Sequence, residues 1–150
     1  MNLLREELID LESRAITQNE AFSEIAKLAV KNGYGTDEKA IIASLVERES
    51  EGTTGMMDGF SIPHAKCSEI SHPAIVILRM KNELEWNSLD GKPIKVIVSL
   101  LIPTEEAGTT HLKILAKVAK LLMSGEVKEG LKTTTNKLVL IDLISRKIEM

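Results

Sequence analysis

Apolar and polar positions alternate along the chain in a way that separates helices from strands. Phe22, Ile25, Ala26, Ala29 and Val30 recur at helical spacing, with Thr17 or Asn19 available as an N-cap and Gly33 as a stop, and this predicts a helix packing one face on a sheet. A short apolar run, Glu7-Leu8-Ile9-Asp10-Leu11, precedes it as a candidate strand. A second helix is expected from near Thr36 through Ile41, Ile42, Leu45 and Val46 to Glu47-Arg48-Glu49, with Arg48 in its last turn. Residues 74–80 and 94–102 carry strand character, and the second is nearly continuous in Val, Ile and Leu, the mark of a strand covered on both faces. Between them Asn87-Ser88-Leu89-Asp90-Gly91-Lys92-Pro93 holds an Asp-Gly turn signal. After a loop at 103–108, Thr109 or Thr110 is positioned to cap a helix over 111–123, and Leu131 with an amphipathic helix over 137–148 closes the chain.

Helical and strand patterns interleave without an internal repeat, low-complexity tract or linker, so the expected class is α/β, one domain over residues 1–150. A chain of 150 residues that is 43% hydrophobic and 27% charged has the composition of a globular protein with a real core. Its net charge of −3 and aromatic content of 3% argue against nucleic acid as a partner. The longest strongly apolar run, 96–102, falls far short of the ~20 residues that span a bilayer, so no direct membrane insertion is expected. One cysteine allows no internal disulfide, and the start of the chain lacks the apolar core of a signal peptide; a cytoplasmic location is the expectation.

The candidate chemistry gathers at Gly59-Phe60-Ser61-Ile62-Pro63-His64-Ala65-Lys66-Cys67. Gly59 permits unusual backbone angles, while Pro63 fixes its own φ and pushes Ile62 toward an extended conformation, so His64 is displayed from a rigidified turn. A neutral imidazole with an ordinary pKa of about 6.5 can accept a phosphoryl or acyl group, move a proton or bind a metal. The preceding stretch 50–59, rich in glycine and hydroxyls, reads as a functional loop. His111 lies on the side of its helix away from the lysines: a step of ~100° per residue puts it roughly 160 to 200° from Lys113 and Lys120, pointing toward the protein.

Three chemistries compete for these residues. A metal site would draw on His64, Cys67, His72 and His111, but the paired spacing of zinc sites is missing. A Cys67 nucleophile with His64 or His111 as base is a second reading, against the commoner role of cysteine as a small buried residue. Phosphoryl transfer through histidine is the third; it needs a nucleophilic nitrogen, donors for the phosphoryl oxygens and cations to offset their charge.

Arg48-Glu49, then Thr53-Thr54-Gly55, then Gly59-Phe60-Ser61-Ile62-Pro63-His64, followed by Trp86-Asn87-Ser88-Leu89-Asp90-Gly91-Lys92-Pro93-Ile94 and His111-Leu112-Lys113-Ile114-Leu115-Ala116, occur in one order. That ordered set resembles the enzyme IIA domain of the fructose/mannitol family of the bacterial phosphoenolpyruvate-dependent sugar phosphotransferase system, over nearly the whole chain. The resemblance implies a mixed β-sheet flanked by helices on both faces and a phosphotransferase component with no cofactor or metal. It implies that His64 accepts a phosphoryl group on Nε2 from the phosphocarrier HPr and passes it to a cysteine of an enzyme IIB domain, which works with a membrane IIC partner. His111 then matches a stabiliser of the phosphoryl group and Arg48 an arginine beside it. Thr53, Thr54 and Ser61 are hydroxyls that would add phosphoryl contacts. The alternative within the same resemblance is a nitrogen-type regulatory protein, in which phosphorylation of His64 controls binding to other proteins. Where the family commonly has Ile-Ala-Ile-Pro-His, this chain has Phe60-Ser61-Ile62-Pro63-His64, which bears on the partner and the sugar. Glu49, Glu51 and Asp58 are either solvated loop charges or a complement to a basic donor surface.

Overall fold

A computed structural model describes residues 3–106 and 108–148, apart from the side chains of residues 106, 109 and 110. Its elements run β1 (Ile9–Ser13), α1 (Gln18–Lys31), α2 (Glu38–Glu51), β2 (Phe60–Ser61), β3 (His64–Cys67), β4 (Ala74–Leu84), β5 (Ile94–Pro103), α3 (Thr109–Leu121), α4 (Gly125–Thr133) and α5 (Lys137–Ile148). The Thr17 hydroxyl caps α1 by accepting from the Glu20 N–H, and the Asp37 carboxylate caps α2 by accepting from Ala40 N–H.

One mixed sheet carries the architecture. β1 pairs parallel with β4, β4 antiparallel with β5, and β2 and β3 both pair parallel with β5 along its other edge. Alternation along the central strands divides the core. Val76, Leu78, Ile97 and Leu101 pack against Phe22, Ile25, Ala26, Ile41 and Leu45 of α1 and α2. Ile75, Ile77, Val96, Val98 and Leu100 pack against Ile114, Val118, Val127, Leu140 and Ile144 of α3, α4 and α5. Helices on both faces explain the continuous apolar run in β5, because neither side of that strand meets water.

β2 and β3 are two halves of one edge strand, broken at Ile62-Pro63. Pro63 has no N–H and so cannot donate to a ladder, which confines it to an edge or a break. Its carbonyl still accepts from Leu100 N–H at 3.0 Å, and the register holds across the gap, with Ser61 opposite Ile97 and His64 opposite Leu100. His64 is therefore not displayed by a turn; it opens a strand, and the turn lies upstream, where Asp58 (φ 60°) and Gly59 (φ 83°) take left-handed backbone angles.

Other boundaries differ from the expected ones for local reasons. Glu6–Leu8 form a 3₁₀ turn, so the first strand begins at Ile9. Helix α2 continues to Glu51, which shortens the loop before His64. The N-cap of α3 is Gly108, and the Thr109 and Thr110 side chains expected to cap it lie outside the described residues. Helix α4 had no counterpart in the pattern, because it buries only Val127 and Leu131 and contains Gly125 and Gly130.

Candidate active site

His64 projects from β3 on the face that carries α3, and His111 is in the first turn of α3. Their rings lie 5.4 Å apart between centroids at 67°, and both are largely buried, at 9% and 7% exposure. Because β3 is an edge, the last turns of α2 can reach round it, and Ser44 ties the helix to the strand by donating to the Lys66 carbonyl at 3.0 Å. Arg48 arrives by that route. His64, His111 and Arg48 line one recess of about 270 Å³ with Ser44, Glu47, Glu51 and Lys66.

The hydrogen bonds of His64 define its chemical form. Nδ1 lies 3.1 Å from the Ile62 carbonyl, which can only accept, so Nδ1 carries the proton. Nε2 lies 3.0 Å from Arg48 Nε, which can only donate, so Nε2 carries the lone pair. The imidazole is neutral, and its nucleophilic atom faces the guanidinium. Arg48 is itself held, its Nη1 donating to the Gly52 carbonyl at 2.8 Å. Burial pushes the His64 pKa below the ordinary histidine value; the bond to Ile62 opposes that shift and the Arg48 charge adds to it. His111 is lowered too, by burial first and then by the electrostatic effect of the neighbouring His64, Lys66 and Arg48, each of which disfavours a proton on it. Its Nδ1 is buried without a hydrogen-bond partner.

The hydroxyls expected around the phosphoryl group are placed elsewhere. Thr53 Oγ1 accepts from Gly55 N–H at 3.0 Å, and the Thr54 hydroxyl donates to Glu49. Ser61 Oγ is fully buried with no partner. None of the three is among the residues lining the histidine recess. The alternative chemistries are not assembled either: the Cys67 thiol donates to Glu69 at 3.1 Å and its pKa is raised, chiefly by burial, while His72 packs edge-on to Tyr34. Among the described residues no three His, Cys, Asp or Glu side chains converge as metal ligands.

Glu49 departs most from its expected surroundings. It faces inward, its Oε2 accepting from Thr54 N–H and from Trp86 Nε1–H, each at 3.0 Å. A signal for this was present, since Ile41, Leu45 and Glu49 follow one another at four-residue steps on the buried stripe of α2. Glu51 does line the recess, and Asp58 pairs with Lys128 of α4 at 2.9 Å.

The chain matches known proteins in sequence and in fold. The family model described as phosphoenolpyruvate-dependent sugar phosphotransferase system, EIIA 2, matches residues 2–147. A fructose-specific EIIA component of the phosphotransferase system from Haloferax volcanii is 34% identical over 143 residues, covering 95% of this chain and 92% of that protein. A nitrogen regulatory protein from Bradyrhizobium diazoefficiens is 32% identical over 118 residues, covering 79% of this chain and 76% of its own length. In fold, the chain is similar to the Escherichia coli enzyme IIA of mannitol, solved in complex with phosphorylated enzyme IIB of mannitol, with a TM-score of 0.78 at 17% identity over 96% of this chain and 99% of that one.

Proposed function

The chain belongs to the EIIA 2 family of the phosphoenolpyruvate-dependent sugar phosphotransferase system, and from that premise we propose that His64 is its phosphoryl-accepting group, working through Nε2. The observation that carries the assignment is the pair of bonds on the imidazole, which leaves the lone pair on Nε2 and turns it toward a cation inside a recess.

In the forward step Nε2 attacks the phosphorus of a phosphohistidine on HPr; the new N–P bond forms as the donor N–P bond breaks, and the donor nitrogen keeps the electron pair. In the second step a cysteine thiolate of an enzyme IIB domain attacks the same phosphorus, an S–P bond forms, and Nε2 recovers its lone pair. A loose transition state of this kind asks mainly for position and charge. Arg48 is in place to turn its N–H groups from Nε2 to the phosphoryl oxygens, and the His111 ring, 5.4 Å from that of His64 between centroids, is a second polar group in the same recess.

No helix among the described residues is long and apolar enough to cross a membrane, which fits a cytoplasmic component acting through a membrane IIC partner. The nitrogen regulatory relative supports a second reading of the destination, in which the phosphorylation state of His64 governs binding to another protein.

The test is intact mass at neutral to alkaline pH after incubation with phosphoenolpyruvate, enzyme I and HPr. A single acid-labile phosphoryl adduct, present in the wild type and lost in His64→Ala, is expected; an adduct retained in His64→Ala refutes the assignment. Transfer onward to a purified IIB domain separates the transport reading from the regulatory one.

A further inference from the structure

Two consecutive residues at the end of α2 reach the two nitrogens of His64 by different routes. Arg48 donates directly to Nε2. Glu49 acts through the chain: its carboxylate accepts from Thr54 N–H and the Thr54 hydroxyl, the Thr54 carbonyl accepts from Ile62 N–H at 3.0 Å, and the Ile62 carbonyl accepts from His64 Nδ1–H at 3.1 Å. Trp86 Nε1–H fixes the far side of the same carboxylate. Thr54 and Trp86 are nearly buried, at 3% and 9% exposure, and Glu49 between them is half-buried.

The Ile62 carbonyl is the group that selects the imidazole tautomer, and its position depends on this series of bonds. If the carbonyl moves away, the proton is free to sit on Nε2, where it would face the Arg48 N–H, donor against donor, and leave no lone pair to attack phosphorus. We propose that Glu49 is a positioning residue for phosphoryl acceptance: anchored by Thr54 and Trp86, it holds the 54–62 segment so that His64 keeps its proton on Nδ1 and its lone pair on Nε2. This rests on the reading of His64 as the acceptor.

The experiment joins long-range ¹H–¹⁵N NMR of the unphosphorylated imidazole with the rate of phosphoryl acceptance from phospho-HPr, for wild type, Glu49→Ala and Glu49→Gln. The wild type is expected to show protonated Nδ1. Glu49→Ala is expected to show a mixture of tautomers, with acceptance slowed about tenfold or more and the KM for phospho-HPr little changed, because what is lost is orientation. The Gln side chain can present its oxygen to Thr54 N–H and Trp86 Nε1–H and its NH₂ to the Thr54 hydroxyl, so Glu49→Gln restores the tautomer and most of the rate. A folded Glu49→Ala protein with wild-type tautomer and rate overturns the proposal. Should Glu49→Ala fail to fold, the Thr54→Val, Trp86→Phe double variant removes two of the three donors to Glu49, and wild-type tautomer and rate in that protein overturn it equally. Absence of any phosphoryl adduct on the wild type would refute the acceptor reading, and the NMR arm would still decide whether Glu49 governs the tautomer.

Discussion

The Nε–H of Arg48 donates to Nε2 of His64 across 3.0 Å, so the lone pair of the proposed nucleophile is held by a cation in advance of any phosphoryl group. Attack requires that this bond be exchanged for one from Arg48 to a phosphoryl oxygen. A hydrogen bond involving a charged group is worth about 1.5–3 kcal/mol, so Arg48→Ala should slow acceptance about 10- to 100-fold. The same change should raise the His64 pKa, since the guanidinium is one of the groups that lowers it. Arg48→Lys should restore charge without the planar fork and recover only part of the rate. Rapid-quench kinetics with an NMR titration measure both; an unchanged rate with an unchanged pKa would remove Arg48 from the mechanism.

The depressed pKa values of both histidines carry a sign for rate and for stability. His64 should remain neutral and competent as pH falls to the ordinary histidine value of about 6.5, with acceptance declining only below it. Folded His64 and His111 bind protons less readily than unfolded ones, so their contribution to stability is complete above about pH 6.5 and is lost as pH falls through the folded-state values. Thermal denaturation from pH 7.5 to 5 should show that loss, reduced in His64→Gln and His111→Gln.

Glu24 predicts the opposite slope at a remote site. Burial first, then the neighbouring Asp10, push its pKa to about 7, while the Ser13 hydroxyl donating at 2.5 Å works against the shift. A folded pKa raised above the unfolded one gives stability that is full below about pH 4.5 and lost as pH rises through 7. Glu24→Gln keeps an acceptor for Ser13 and a donor for Asp10, so it should match the wild type near pH 4 and exceed it above pH 7. Equal melting temperatures at pH 8 would contradict this.

Gly55 marks how tightly Trp86 is seated. A Cβ there would stand 2.8 Å from Trp86 Cδ1 and 2.9 Å from the Ser88 backbone, so a shift is forced. Gly55→Ala should cost about 1–3 kcal/mol and alter the Trp86 fluorescence as the ring leaves Glu49.

Ser61 offers a stabilising change. Its buried hydroxyl has no partner, and Ser61→Ala should raise stability by about 1 kcal/mol in urea denaturation. A loss of stability would mean that the hydroxyl is satisfied by a group such as water.

The long periodic elements are legible in the amino-acid sequence. The stripe from Phe22 to Val30, the two apolar strands and the last helix are strong because burial on a helix face or on both faces of a sheet leaves a repeating mark on the chain. Helix α4 and the split edge strand are not legible there: two buried side chains make too thin a stripe, and a pair of residues ahead of Ile62-Pro63 has no period to show.

The same division runs through the site. His64, His111 and Arg48 could be singled out by residue type, by the order of the segments that carry them and, for His111, by the direction of its helix face. Their meeting in one recess depended on tertiary structure, because β3 had to be an edge for Arg48 of α2 to reach round it. So did the choice of nitrogen on His64, which rests on one carbonyl and one guanidinium that arrive from different elements. Glu49 shows why. Its charge suggested solvent, its place on the Ile41–Leu45 stripe pointed inward, and only the packing of Thr54 and Trp86 beside it supplied the donors that hold a half-buried carboxylate in place.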